Sequence, residues 1–257
     1  MIIKDWNDRD IEFEQSRGGV LAVVNYSDNH IRCDSEIWPH PAIVQKLYQS
    51  RQISAFELEA QQRLTEKLGF YCDLQSLNSE DAITWSLFGT LILGESSIRV
   101  SSLNWLLVRL DIDCPCDACE ISLWRRALHP ETKGMGGPEL DFIIQGDKIV
   151  ILGEVKWNSI EGRGQGIQKD RTQIELRKEF LSVYGKGIYG SQCLAIMVLQ
   201  RHTNSSLCVD EDCDGVTTRT LYWKDMLKDI PHPKADELRR YYHWKRIGAF
   251  QNLVELD

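Results

Sequence analysis

Within the stretch 137–157, GPELDFIIQGDKIVILGEVKW, three residues are of types that can do chemistry together: Asp141, Glu154 and Lys156. Two carboxylates held on one surface can share a hard divalent cation through their oxygens. Two strands must position them. Apolar runs on either side of Gly146-Asp147, a Gly-first pair, predict a hairpin with a type II′ turn. With Gly146 and Asp147 as the two loop residues, Gln145 pairs with Lys148 and Asp141 falls opposite Leu152. Side chains alternate along a strand, so Asp141, Leu152, Glu154 and Lys156 project from one face. Asp141 and Glu154 are then diagonal neighbours with Cβ atoms about 7 Å apart. A four-residue loop keeps this parity, whereas a three-residue loop turns Asp141 to the other face. The plain alternative is an ordinary hairpin with charged ends. Against it, Glu154 and Lys156 close a run that reads as buried, and burying them costs desolvation free energy unless they are paired or bind a metal.

The whole chain sets limits on what such a site can be. Its 257 residues suffice for one large domain or two small ones. With 42% hydrophobic and 26% charged residues the composition is that of a globular protein. A net charge of −8 argues against a non-specific polyanion binder, so any nucleic-acid contact must rest on local basic patches. No apolar run approaches the roughly 18 residues that a membrane span needs. The start, MIIKDWNDRD, is charged almost at once and lacks the apolar core of a signal peptide. Both point to a cytoplasmic protein with no membrane partner, its eight cysteines mostly reduced.

Along the chain, residues 1–30 carry two short β-like runs around Arg17-Gly18-Gly19, the clearer being 20–26. Two helices are predicted between Pro39 and Gly69. Ser79 is an N-cap candidate for a helix to Gly94 with Glu80 and Asp81 in its first turn, where the helix dipole alone accounts for acids. Apolar spacing predicts a second helix over 98–110. The cluster Cys114, Cys116, Cys119 uses the residue type of structural zinc sites, though its spacing matches no doubled Cys-x-x-Cys pattern and reduced loop thiols are the simpler reading. Residues 119–128 alternate as a strand, giving a three-stranded meander with the hairpin. After a Gly-rich, partly basic linker, a helix is predicted from about Asp170, with Asp170 as N-cap and Gln173 at the third position; Gln173 and Arg177 share a face. The apolar run 191–200 reads as a strand pairing in parallel. His129 and His202 read as loop bystanders. The basic-aromatic run 238–246 could stack on nucleic acid, but reads first as an amphipathic helix. The fold class expected is α/β: a central mixed sheet, an antiparallel meander plus a parallel strand, flanked by helices. The domains expected are an extension or subdomain over 1–78, a core over 79–200 and a strand and helical extension over 201–257.

The order helix, three strands, helix, strand, with ProGluLeuAsp ending at Asp141 and twelve residues separating it from Glu154-Val155-Lys156, resembles the PD-(D/E)XK nuclease superfamily. The likeness covers about half the chain, from Ser79 to Gln200, and implies a restriction-endonuclease-like core. It implies hydrolysis of phosphodiester bonds, in DNA with RNA not excluded, by a homodimer or a larger complex. It further implies Mg²⁺ or Mn²⁺ held by Asp141, Glu154, the Val155 carbonyl and Glu80 or, less well placed, Asp81. Lys156 and Gln173 complete the catalytic set, and Arg163, Lys169 and Arg177 are candidates for phosphate contact. The chain departs from the family in reading ProGluLeuAsp rather than ProAsp, with Glu139 on the site face, and in carrying Arg177 where many members have Tyr. The competing reading is a non-catalytic nuclease-fold scaffold protein in a nucleic-acid-processing complex, with or without a zinc on Cys114, Cys116 and Cys119.

Overall fold

In the computed structural model, residues 1–15, 21–33, 35, 39–49, 73–128, 137–157, 171–201 and 210–248 are described. The chain divides into two units, Met1–Leu93 with Lys234–Asp257, and Gly94–Pro233. These boundaries do not coincide with 78/79 and 200/201: the helix after Ser79 goes with the first unit, and strands beyond residue 201 go with the second.

In the first unit, β1 (Ile2–Lys4), β2 (Asp10–Gln15) and β3 (Leu21–Val23) form an antiparallel meander. Ile11 and Phe13 are buried while Glu12 and Glu14 are exposed, the period-2 pattern of a half-buried strand. The strand expected over 20–26 is shorter, because the Asn25 side chain caps a 3-10 turn at Tyr26–Asn29. α1 (Pro41–Gln49) follows; the second helix expected before Gly69 lies outside the described residues. α2 (Glu80–Leu93) begins as the sequence suggests, with Ser79 Oγ accepting from the Ala82 N–H at 3.0 Å.

His30 closes the 3-10 turn in full burial, and its pKa is lowered to about 3 by desolvation first, then by the charges of Arg32 and Lys245. Unfolded, it titrates near 6.5, so between 6.5 and about 3 the unfolded chain binds a proton that the folded chain refuses. Stability from this group is therefore complete above 6.5 and lost as the pH falls, at up to about 1.4 kcal/mol per pH unit. His30→Gln is expected to have a shallower stability loss between pH 6.5 and 4.5 than wild type in urea unfolding; identical slopes would refute the assignment.

In the second unit, α3 (Ser96–Arg109) buries Leu103, Leu106 and Leu107 at helical spacing. β4 (Cys119–Arg126), β5 (Glu139–Gly146) and β6 (Ile149–Lys156) form the expected meander. α4 (Gln173–Phe180) runs through a π turn at Leu181–Gly185 into α5 (Lys186–Tyr189). β7 (Cys193–Gln200) then pairs in parallel with β6, as its unbroken apolar run suggests. β8 (Glu211–Cys213) and β9 (Val216–Tyr222) form a hairpin around Asp214-Gly215, both at positive φ as a type I′ turn requires. β9 lies parallel to β7, and α6 (Trp223–Met226) follows it. The result is an α/β fold with a six-stranded mixed sheet in the order β4-β5-β6-β7-β9-β8, flanked by helices. The meander and the parallel strand were expected, as was a strand and helical extension over 201–257; that its strands β9 and β8 lengthen this same sheet was not. The chain ends its described part in α7 (Ala235–Gly248), back in the first unit. There Leu238, Tyr241 and Tyr242 are buried and the Tyr241 hydroxyl donates to the Asn29 carbonyl at 2.7 Å, so these aromatics pack rather than stand ready to stack on bases. No helix among the described residues is long and apolar enough to cross a membrane.

β6 is buried along its whole length. On one side Val150, Leu152, Ile196 and Val198 form a core with Ile174, Phe180 and Leu181 of the α4 segment. Elsewhere Phe142 lies across its cross-strand partner Gly153, where an added Cβ would meet the ring at 2.1 Å. Gly153→Ala is expected to destabilise the protein by about 1–3 kcal/mol through overpacking. Phe142→Leu in the same background should recover part of the loss in a thermal melt, and a neutral Gly153→Ala would contradict the packing account.

Candidate functional site

β5 and β6 pair Phe142 with Gly153, Ile143 with Leu152, Ile144 with Ile151 and Gln145 with Val150. The loop is therefore Asp147-Lys148, not Gly146-Asp147, and each partner is displaced by two residues from the expected register. Parity survives, so Asp141 shares a face with Leu152, Glu154 and Lys156. Continued by one pair, the register sets Asp141 directly across from Glu154, where the sequence reading put Leu152. Contacts from outside the hairpin choose this turn. Gly146 is a strand residue paired with Cys119, and a Cβ on it would meet Cys116 Sγ at 2.6 Å. The Asp147 carboxylate accepts from the backbone N–H groups of Asp117 (2.9 Å) and Ala118 (3.3 Å), and Lys148 Nζ donates to the Pro115 carbonyl at 2.8 Å.

Past Phe142 the ladder opens, and Asp141 Oδ2 takes the N–H of Val155 at 2.7 Å. The Asp141 carboxyl is pushed up to about 7, first by burial and then by the charge of Glu154, with Arg177, Lys156 and the Val155 N–H acting in the other direction. Glu154 is 1% exposed. Its Oε1 meets Lys156 Nζ at 2.6 Å and its Oε2 is ion-paired with Arg177 Nη2. These are charge contacts at angles poor for hydrogen bonding, since neither carboxylate oxygen accepts an aligned hydrogen bond. Arg177, also 1% exposed, donates from Nη2 to the Glu139 carbonyl at 2.6 Å, tying the helix to both strands of the hairpin.

α4 is aimed at this spot by its own start signal. Thr172 is the N-cap and Glu175 closes a capping box, with Thr172 Oγ1 accepting at 3.2 Å and Glu175 Oε2 accepting from the Thr172 N–H at 2.7 Å. The N-cap expected at Asp170 is thus two residues late, and Gln173 stands at the first helical position instead of the third. Gln173 is half-buried and makes no side-chain hydrogen bond among the described residues. Ile174, Arg177 and Leu181 recur on one helix face, which is the face packed on the sheet. Arg177, expected as a phosphate contact, is instead buried against Glu154 and Glu139. Arg163 and Lys169, like His129 and His202, lie outside the described residues. Glu80 and Asp81 stand in the first turn of α2, in the first unit, where Asp81 pairs with Lys46 at 3.5 Å. Within the second unit the fold brings together Asp141, Glu154, Val155, Lys156 and Arg177.

Two neighbours escaped the sequence reading. Gln200 is register-paired with Lys156 across the parallel ladder and is buried, and the Arg201 N–H donates to the Lys156 carbonyl at 3.2 Å. The Arg201 guanidinium lies 5.0 Å from the Trp157 ring centre. The signal was available: Gln and Arg end a buried apolar run, as Glu and Lys end β6. The other is Trp124, at φ 52, in the gap of the β4 ladder between Leu123–Phe142 and Arg125–Leu140, across from Asp141. A left-handed Trp is an outlier that costs about 1–3 kcal/mol and is found where surroundings over-determine it. No local sequence signal announces it.

Two carboxylates and a backbone carbonyl fit Mg²⁺, which uses one or two protein carboxylates and keeps several waters. Neither oxygen of Glu154 accepts a hydrogen bond although both are ion-paired, and the Asp141 carboxyl is raised by burial and by the charge of Glu154; a cation between the two carboxyls would relieve that repulsion. Among the described residues no group of three or more His, Cys, Asp or Glu is arranged to hold a metal ion. Cys114, Cys116 and Cys119 are buried, Cys119 as the first residue of β4, and burial raises all three thiols, Cys114 and Cys119 to about 12. They are protonated and weakly nucleophilic in this state. Comparisons of the chain with family models, with curated proteins and with solved structures give no match.

Proposed function

We propose that this chain is a divalent-metal-dependent nuclease that hydrolyses phosphodiester bonds in DNA, on a restriction-endonuclease-like core. The observation that carries the reading is the pairing of Asp141 with Glu154 at one end of the buried hairpin, with Lys156 one strand repeat beyond. All three lie at the carboxyl end of β6 and β7, the end of parallel strands where α/β sheets place their ligands. Asp141, Glu154 and the Val155 carbonyl would hold Mg²⁺ or Mn²⁺. When bound, the ion polarises a phosphodiester oxygen and acidifies a water. Lys156 stabilises the negative charge that develops on the phosphoryl oxygens. Gln173 orients Lys156 or the attacking water from the first turn of α4. Glu80 belongs to the other unit and is given no role. Phosphate contact falls to Arg163 and Lys169, because Arg177 is engaged within the fold. Cleavage of plasmid, single-stranded DNA and RNA with Mg²⁺ or Mn²⁺ tests the reading: wild type should cut and Lys156→Ala should fall by at least about 10². Equal behaviour of the two would sink the catalytic assignment, and preferential cutting of RNA would change the substrate.

One observation favours a second reading, a non-catalytic scaffold. Glu154 is matched by two cations of the chain itself, Lys156 and Arg177, which a domain could keep for folding alone. Calorimetric titration with Mn²⁺ separates the two, since a scaffold of this kind shows no binding that Asp141→Asn abolishes. Elemental analysis of the purified protein reports independently on zinc at the cysteines.

A further inference from the structure

The two oxygens of Glu154 are not equivalent. Oε2 is taken by Arg177, which is fixed in turn by the Glu139 carbonyl at 2.6 Å and by a helix face packed through Ile174 and Leu181. Freeing that oxygen would mean lifting α4 off the sheet. Oε1 is held by Lys156 at 2.6 Å, from the last residue of β6 and through a flexible four-carbon stem. An ammonium and a divalent cation cannot both sit on one carboxylate oxygen in a buried site without strong mutual repulsion.

We infer that Lys156 is the resident counter-ion of Glu154, and that a divalent cation enters by displacing it from Oε1 while Arg177 keeps Oε2 in place. This inference rests on the metal-dependent reading of the site. It makes ion entry and the presentation of the Lys156 ammonium to the substrate phosphate one event, so that the catalytic lysine is sheathed until the ion arrives. Linkage requires the effect to be reciprocal: Lys156 weakens cation binding by the same factor by which the cation weakens the Lys156–Glu154 contact.

The test uses the full-length chain and two readouts other than cleavage. Calorimetric titration with Mn²⁺ should find Lys156→Met binding the ion about tenfold more tightly than wild type, although it cannot cut. Lys156→Arg, which keeps the charge, should stay closer to wild type. Acylation of lysines followed by peptide mass spectrometry should show Lys156 of the wild type, 8% exposed, becoming markedly more reactive when the protein is saturated with Ca²⁺. Unchanged or weaker Mn²⁺ binding by Lys156→Met, or Lys156 reactivity indifferent to Ca²⁺, overturns the inference while leaving a metal site standing. Should Lys156→Met fail to fold, the labelling of the wild type decides alone. A wild type that binds neither Mn²⁺ nor Ca²⁺ fails the metal-dependent reading itself.

Discussion

Arg177→Met is expected to destabilise the protein by about 3–5 kcal/mol, the range for removing one partner of a buried ion pair. The reason is what the substitution leaves behind. Glu154 is 1% exposed, and without Arg177 its Oε2 faces a nearly solvent-free interior with no cation against it. The Glu139 carbonyl loses its donor at the same stroke. Met fills a similar volume, so the loss reports charge and hydrogen bonding, not a cavity. Urea unfolding measures it. Glu154→Gln added to Arg177→Met should recover a substantial part, because a neutral amide needs no counter-ion, whereas Glu154→Gln alone should be destabilising by leaving two cations short of their anion. If Arg177→Met lies within 1 kcal/mol of wild type, the buried triad is not what holds α4 to the hairpin.

The second large effect has the opposite sign. Asp141→Asn is expected to stabilise the metal-free protein above pH 7, by up to about 4 kcal/mol from a rise from 3.8 to about 7 and nearer half that once solvent screening of a half-buried group is allowed for. With the folded pKa above the unfolded one, the folded chain holds a proton between pH 3.8 and about 7 that the unfolded chain releases. Stability from this group is therefore intact below 3.8, lost as the pH rises through about 7, and absent above. Asn keeps an acceptor for the Val155 N–H and carries no charge toward Glu154, so it relieves the repulsion that the acid suffers. With a chelator present, the gap between the urea midpoints of Asp141→Asn and wild type should widen from pH 5 to 8.5, the His30 titration being common to both. A gap that stays constant would mean that Asp141 is ionised throughout. The same variant should lose Mn²⁺ binding, so a gain in stability and a loss of ligand would come from one substitution, as is common where a site is built at the expense of stability.

Alternation in 137–157 determined that Asp141, Glu154 and Lys156 share a face, because the side-chain period of a strand is two and any even loop preserves it. The same logic gave the parallel β7 from an unbroken apolar run, and the start of α2 from Ser79. It did not give which two residues make the turn. A Gly-first pair is a strong hairpin signal, but Gly146 is needed in the strand beneath Cys116, and Asp147 and Lys148 are needed by the backbone of 115–118.

What the sequence by itself determined is therefore periodic and local: a mixed α/β sheet, the two acids and the lysine on one strand face, and a helix on which Gln173 and Arg177 share a side. What only the tertiary structure decided is which of these charges meet. Gln173 and Arg177 share a helix face by their spacing, yet only Arg177 is buried against Glu154, because the capping box at Thr172 and the sheet packing of Ile174 set the rotation of the helix. Likewise β9, Gln200 and the left-handed Trp124 join the surroundings of the site through pairings between distant segments. The energy of such pairings depends on which group is buried opposite which, and a one-dimensional pattern does not carry that information.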